Sequence, residues 1–262
     1  MHVIRADQVT KTFNVGKQPL TAVQDVSFTL EPGEFVSLIG PSGCGKSTML
    51  KLIADIYQPT SGQLLVNGRS PREARLNRLL GMVFQDPALL PWRDVLGNVL
   101  LPLEISGRLD HTTRRRAEDL LHLVGLGDFL HASPHQLSGG MRQRVAIARA
   151  LVLEPTLFLL DEPFGALDEI TRKRMNLELL RIWTQSQTSA LLITHSLSEA
   201  VFLSDRVLVM SPRPGTITDD IRIDLPRPRH VEMYREPRFF ELETRISDAL
   251  QLTAGSYEVA HE

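Results

Sequence analysis

A chain of 262 residues, 42% of them apolar and 23% charged, is long enough to bury one large core or two smaller lobes. Its formal net charge of -2 argues against broad nucleic-acid binding through a basic surface, and no apolar stretch approaches the roughly 20 residues of a membrane-spanning helix. The single cysteine, Cys44, excludes an intrachain disulfide, and the start MHVIRADQVT lacks the marks of a secretory signal, so a reducing, cytosolic setting is expected.

In chain order, residues 3–34 and GQLLVN at 62–67 alternate and are punctuated by EPGE and PTSGQ, which predicts an antiparallel sheet. FVSLI at 35–39, MVF at 82–84, LFLLD at 157–161, ALLIT at 190–194 and RVLVM at 206–210 are nearly continuous apolar runs bounded by turn residues. Such runs predict strands covered on both faces, and the helical segments between several of them predict an α/β core of mainly parallel sheet. From about 86 to 151 the pattern becomes helical, with Ala117, Leu120, Leu121 and Val124 on one face, and predicts a helical lobe inserted into that core. Arg114, Arg115 and Arg116 run together before Glu118 and Asp119, either as a solvated helix face with internal ion pairs or as a partner contact. After Asp224 the proline-broken LPRPRH leads to a terminal helix with Phe239, Leu242, Ile246 and Leu250 in one stripe. The expected organisation is a domain over 1–224, containing the lobe at about 86–151, and a short helical tail over 225–262.

The chemistry starts at GPSGCGKST, residues 40–48, between a predicted strand and a predicted helix. Gly40, Gly45, Lys46 and Ser47 satisfy G-x-x-x-x-G-K-[ST]; the glycines let backbone N–H groups turn into one concavity, and the helix that follows presents its positive end to an anion. Gly40, Pro41, Ser42, Gly43, Cys44, Gly45, Lys46, Ser47 and Thr48 are therefore candidate nucleotide-binding residues, with Lys46 a point charge for the β and γ phosphates and Ser47 a hydroxyl for Mg2+. A fortuitous glycine-rich turn is the bland alternative. Cys44, inside the loop, is expected to react with thiol reagents, and MgATP to slow that reaction. At the end of LFLLDE, Asp161 is the candidate carboxylate for Mg2+, and Glu162 is placed to accept a proton from an attacking water. His195 directly follows an apolar strand, where α/β sheets bind ligands, and is a candidate contact to the γ-phosphate.

The segment QLSGGMRQRVAIARAL, residues 136–151, decides among the many NTPases with those parts. It closely resembles the ATP-binding cassette family, whose LSGGQ signature stands here as Leu137, Ser138, Gly139, Gly140 and Met141. The phosphate loop, Gln85, the signature, LFLLDE, GALD ending at Asp168 and His195 occur in family order over nearly the whole chain. The resemblance implies a P-loop NTPase core with a flanking antiparallel β-subdomain and an inserted helical subdomain. It also implies catalytic roles for Glu162, His195, Gln85 and Lys46, and a Mg2+ set of Ser47, Gln85 and Asp161. A head-to-tail homodimer is implied too, in which Ser138, Gly139 and Gly140 of one subunit close over the nucleotide held by the other and Asp168 joins the site. Met141 departs from the consensus glutamine, but the contacts needed there come from a hydroxyl and backbone N–H groups. Phe13, in VTKTFN, matches the aromatic that stacks on adenine in the family, unless it is core. Leu89, Leu90, Pro91 and Trp92 form an apolar cluster that reads either as core or as a groove for a helix of a membrane partner.

DEPFGALDEITR and THSLSEAVFLSDRVLVMSPRPG look like the importer ATPases of the nitrate, taurine and aliphatic sulfonate group. That likeness implies ATP-driven import with a transmembrane permease and a periplasmic or lipid-anchored solute-binding protein, at the cytoplasmic face of the inner membrane, with no nucleic-acid partner. A soluble cassette ATPase acting on nucleic acid or ribosomes is the alternative, and a small-molecule kinase would leave LSGG and GALD unexplained.

Overall fold

The computed structural model describes residues 2–16, 18–186 and 188–258. The chain begins with β1 (Ile4–Val15), β2 (Gln18–Leu30), β3 (Phe35–Ile39), α1 (Lys46–Ile53), β4 (Ser61–Val66) and α2 (Pro71–Leu76). Next come β5 (Leu80–Val83), α3 (Val95–Ile105), α4 (His111–Leu123), α5 (Gly139–Leu151), β6 (Leu157–Asp161) and α6 (Glu169–Ser186). The last are β7 (Ser189–Ile193), α7 (Leu197–Leu203), β8 (Arg206–Met210), β9 (Ile217–Arg222) and α8 (Pro237–Glu258). Several helices begin where a short polar side chain can accept from an orphan backbone N–H. Ser70 and Glu73 form a reciprocal capping box at α2, Asp110 and Thr113 do the same at α4, and Asp94 accepts from Gly97 N at 2.7 Å to start α3. No helix among the described residues is long and apolar enough to cross a membrane.

The chain divides into two compact units, Met1–Asn77 with Ser189–Glu262, and Arg78–Thr188. In the first, β1 pairs antiparallel with β2 and β4, and Ile4 stands opposite both Leu30 and Val66. In its other sheet β3 lies between β7 and β8, parallel to both. β3 and β7 are buried at every residue, which is why their sequences are mostly apolar, apart from one serine each, rather than alternating. β9 adds antiparallel to β8, an edge strand that sequence patterning missed because ITDDIR is mostly polar and half exposed. The stripe of α8 is buried at Phe239, Leu242 and Ile246, and Tyr234 stacks on Phe202 of α7 with ring centroids 4.5 Å apart.

LPRPRH is more than a link. Arg229, 3% exposed, donates through Nη1 to the carbonyls of Val201 and Phe202 and through Nη2 to that of Ser204, meeting the last carbonyls of α7. Burial pushes its guanidinium down to about 10, so it stays a cation at neutral pH.

In the second unit β5 and β6 pair in parallel, with Leu80 opposite Leu157. α3, α4 and α5 all fall within 86–151 and bury Val99, Leu103, Ala117, Leu121, Val124, Val145 and Ala148. The arginine run lies on the outer face of α4, where Arg114 pairs with Glu118 at 3.3 Å and Arg116 with Glu154 at 3.0 Å. That favours the solvated-face reading.

Candidate active site

In the first unit the chain leaves buried β3 and turns from Gly40 to Gly45 before α1 begins at Lys46. Gly45 has φ 114°, which side chains rarely adopt, and a Cβ there would lie 2.5 Å from Val23 Cγ1, so a glycine lets the loop lie on β2. Cys44 N donates to the Pro41 carbonyl at 3.3 Å and closes the turn. Pro41, Ser42 and Gly43 are exposed, and Ser47 and Thr48 are half-buried in the first turn of α1, which carries no acidic residue to oppose an anion. Lys46, 7% exposed, donates from Nζ to the carbonyls of Gly40 at 2.8 Å and Pro41 at 3.0 Å, so its charge is held against the loop. Cys44 is buried, 1% exposed, with its thiol 3.8 Å from Lys46 Nζ, so a thiol reagent would reach it only when the loop opens.

Phe13 on β1 is half-buried, edge-on to Tyr57 with centroids 5.1 Å apart, and Lys11 Nζ lies 5.1 Å from its ring centre. His195 is exposed between β7 and α7, and both flanks are tied down. Thr194 Oγ1 accepts from Ser196 N at 3.0 Å and donates to the buried Glu199 carboxylate, while Ser196 Oγ caps α7 through Glu199 N. The backbone around the imidazole is thus set by three side chains rather than by a free loop.

In the second unit β6 ends at Asp161, and Asp161 and Glu162 are half-buried. Glu162 has φ 45°, a left-handed conformation that costs a residue with a side chain about 1 kcal/mol or more, and that turn residues such as Asp55, Asn67 and Glu154 also adopt. Gly165 N donates to the Glu162 carbonyl at 3.1 Å, and the position a Cβ would take on Gly165 is 3.4 Å from both Glu162 Oε2 and Gln85 Nε2. Gln85 and Glu162, 77 positions apart in sequence, therefore both border Gly165. Ser138 is the exposed N-cap of α5, accepting from Met141 N at 3.3 Å, and Gly139 and Gly140 occupy the first turn. Position 141 contributes its N–H, so the departure from glutamine leaves the cap intact. Asp168 accepts from Thr171 N at 3.0 Å at the start of α6, and hydrogen bonds from the Thr171 hydroxyl and then its N–H hold its carboxyl below the usual range.

Two residues of α5 were missed by sequence reading. Gln143, 3% exposed, donates to the Phe84 carbonyl at 3.0 Å, just before Gln85, and Arg149 donates to the carbonyls of Pro87 and Ala88. The signature helix therefore grips the segment that carries Gln85. A signal existed: Gln143 falls three and four positions before Ala146 and Ile147, on the buried stripe, where an unpartnered amide would be costly. Beside this segment a cavity of about 810 Å3 is lined by Gln85, Leu89, His135, Arg142, Gln143 and Leu167 among others. Trp92 is 77% exposed, so the core reading of that aromatic is corrected.

No group of three or more His, Cys, Asp or Glu among the described residues could hold a metal alone. Ser47 in the first unit offers a hydroxyl and Asp161 in the second a carboxylate, each an oxygen donor of the kind that a hard cation takes.

The family model described as ABC transporter matches residues 23–165. The nitrate import ATP-binding protein NrtD of Synechococcus elongatus is 43% identical over 93% of this chain and 90% of its own length. The taurine import ATP-binding protein TauB of Rhizobium johnstonii is 44% identical over 88% of this chain and 90% of its own. Among solved structures, the dimeric post-hydrolysis state of the ATP-binding cassette MJ0796 bound to ADP and Pi is similar with a TM-score of 0.74, at 32% identity over 85% of this chain and 100% of that one.

Proposed function

This chain belongs to the ABC transporter family as one of its ATP-binding ATPases, and from that premise we propose that it is the motor subunit of an importer for a small, anionic solute such as nitrate, a sulfonate or taurine. The cargo class rests on the names of its relatives. A transmembrane permease and a solute-binding protein would complete the system, with this subunit at the cytoplasmic face of the inner membrane.

The roles follow from the side chains. Backbone N–H groups of 40–48 and Lys46 hold the phosphates, Phe13 offers a ring to adenine, and Ser47, Asp161 and Gln85 would hold Mg2+, which when bound shields phosphate charge. Glu162 accepts the proton of the attacking water, Gln85 orients that water, and His195 donates toward the γ-phosphate. The observation that carries this reading is that the Gln85 amide and the Glu162 carboxylate both border Gly165, which supports a proton acceptor and an amide able to position water in one neighbourhood. The exposed start of α5, with Ser138, Gly139 and Gly140, supports a head-to-tail homodimer in which each signature covers the partner's nucleotide. The cavity beside Leu89 and the exposed Trp92 support docking of a permease helix.

The test pairs ATP hydrolysis with uptake. Coexpressed with its permease and reconstituted with the solute-binding protein, the chain should drive ATP-dependent uptake of a small anion, and Glu162→Gln should abolish uptake and hydrolysis together. Hydrolysis without permease association, stimulated instead by RNA or ribosomes, would overturn the importer reading.

A further inference from the structure

The turn between β8 and β9 lies against the phosphate loop, and no role assigned above uses it. It is internally fixed: Ser211 N donates to the Thr216 carbonyl at 3.0 Å, and Thr216 N donates to Ser211 Oγ at 3.0 Å. Gln24 N donates to the Gly215 carbonyl, and Gly215 N to that of Ala22, each at 3.0 Å, so the turn is also tied to β2. From this anchored position it touches two successive peptides of the loop. Arg213 donates from Nε at 3.2 Å and from Nη2 at 2.9 Å to the Gly43 carbonyl. A Cβ on Gly215 would lie 2.0 Å from the Cys44 carbonyl oxygen, so only glycine allows that approach.

A loop that turns its N–H groups toward an anion must turn other peptide oxygens elsewhere, and those oxygens need partners or close packing. A trans peptide places its N–H opposite its carbonyl. With the Cys44 carbonyl set against Gly215, the Gly45 N–H is directed to the other side. The peptide whose oxygen Arg213 takes is the one whose N–H closes the turn onto Pro41. Arg213 is exposed, whereas its target belongs to the exposed rim of the loop, so the contact acts on loop geometry rather than on the core.

We propose that the turn over residues 211–216 is a brace for the phosphate loop, with Arg213 as a positioning residue that sets the loop peptides before nucleotide arrives. The proposal deepens the nucleotide reading of the loop and rests on it. It assigns Arg213 no contact with the reacting atoms. Its loss should therefore weaken phosphate binding more than the chemical step.

The experiment compares full-length Arg213→Met, Arg213→Lys and Lys46→Ala with the parent chain. Calorimetric Kd values for MgADP and MgATP are measured together with steady-state hydrolysis and melting of the nucleotide-free protein. Arg213→Met should raise both Kd values and KM by about fivefold to tenfold, while kcat at saturation falls by less than about twofold. Arg213→Lys should recover part of the loss, since an ammonium can still reach one carbonyl. Unchanged Kd values in Arg213→Met, with binding lost in Lys46→Ala, would overturn the brace. So would a loss that tracks a fall in melting temperature and is not recovered by lysine, which would mark a merely structural contact. Nucleotide binding retained in Lys46→Ala would instead show that the loop is not the nucleotide site, and the brace would fall with that reading.

Discussion

Glu162 combines an unfavourable backbone with the proton-accepting role proposed for it, and the two are separable by mutation. Glu162→Gln keeps the shape of the side chain and its place at Gly165 but removes its basicity. Turnover should fall about 100-fold or more while the Kd for MgATP changes little. Single-turnover hydrolysis and equilibrium binding check this, and near-normal turnover would remove Glu162 from the proton-accepting role. Cys44 makes the opposite case. Its position in a phosphate loop reads as reactive, yet the thiol packs inward, with Sγ 2.8 Å from where a Cβ on Gly40 would stand. Its reaction with a thiol reagent should be far slower in the native chain than in guanidinium, and MgATP should slow it further by suppressing local opening. Equal rates in native and unfolded protein would refute the burial argument.

At the scale of elements, the segment before α3 is where stability and docking can be told apart. Asn98 fixes it from α3, accepting from Leu90 N at 2.7 Å and donating to the Leu90 carbonyl at 3.1 Å, while the indole of Trp92 remains in solvent. Trp92→Ala should thus shift the stability of the free subunit by no more than about 0.5 kcal/mol, yet weaken copurification with the permease if that aromatic is an anchor of the interface. Normal copurification would exclude the anchor role. Arg229→Ala should behave in reverse. It leaves three carbonyls near the end of α7 without their donor in a buried setting, and should destabilise the chain by about 3 kcal/mol in denaturant melts. The capping carboxylates add a pH dependence. Hydrogen bonds from Ser70, side chain first, hold Glu73 below its ordinary range, and those from Thr113, backbone first, do the same for Asp110. Folded-state values that are depressed give stabilisation that is complete above the unfolded carboxylate range and is lost as pH falls through the folded values. Fraying of α2 and α4, followed by amide exchange, should therefore rise below about pH 4.

For the molecule as a whole, the proposal places two nucleotide sites across a homodimer, each needing the loop of one subunit and the signature of the other. Glu162→Gln with MgATP should elute as a dimer, and adding Ser138→Arg should leave it monomeric because the bulky cation occupies the exposed start of α5. Lys46→Ala and Ser138→Arg should each be inactive alone. Mixed in one preparation they should recover measurable hydrolysis, since a heterodimer regains one intact pair of loop and signature. A monomeric Ser138→Arg chain with full activity would contradict shared sites.

Local patterns were sufficient to place the glycine-rich loop between β3 and α1, Asp161 and Glu162 at the end of β6, His195 after β7 and the parallel character of the sheet, because each depends on short-range rules: glycine at a tight turn, near-continuous apolarity in a strand covered on both faces, a cap before a helix. The same rules missed β9, whose polar sequence becomes a strand only because β8 offers it an edge. They also missed α2 and the full extent of β5, where short segments carry too little periodicity to register. Long-range partners lay beyond them altogether. Nothing near LPRPRH shows that Arg229 reaches back to α7, and nothing near Arg213 shows that its guanidinium finds Gly43, 170 positions away. The burial of Cys44, the exposure of Trp92, the grip of Gln143 and Arg149 on the segment after β5, and the convergence of Gln85 and Glu162 on Gly165 were likewise decided by packing. A sequence names the groups that chemistry needs, but which of them meet depends on hydrogen bonds and close contacts that exist only once distant segments share a surface.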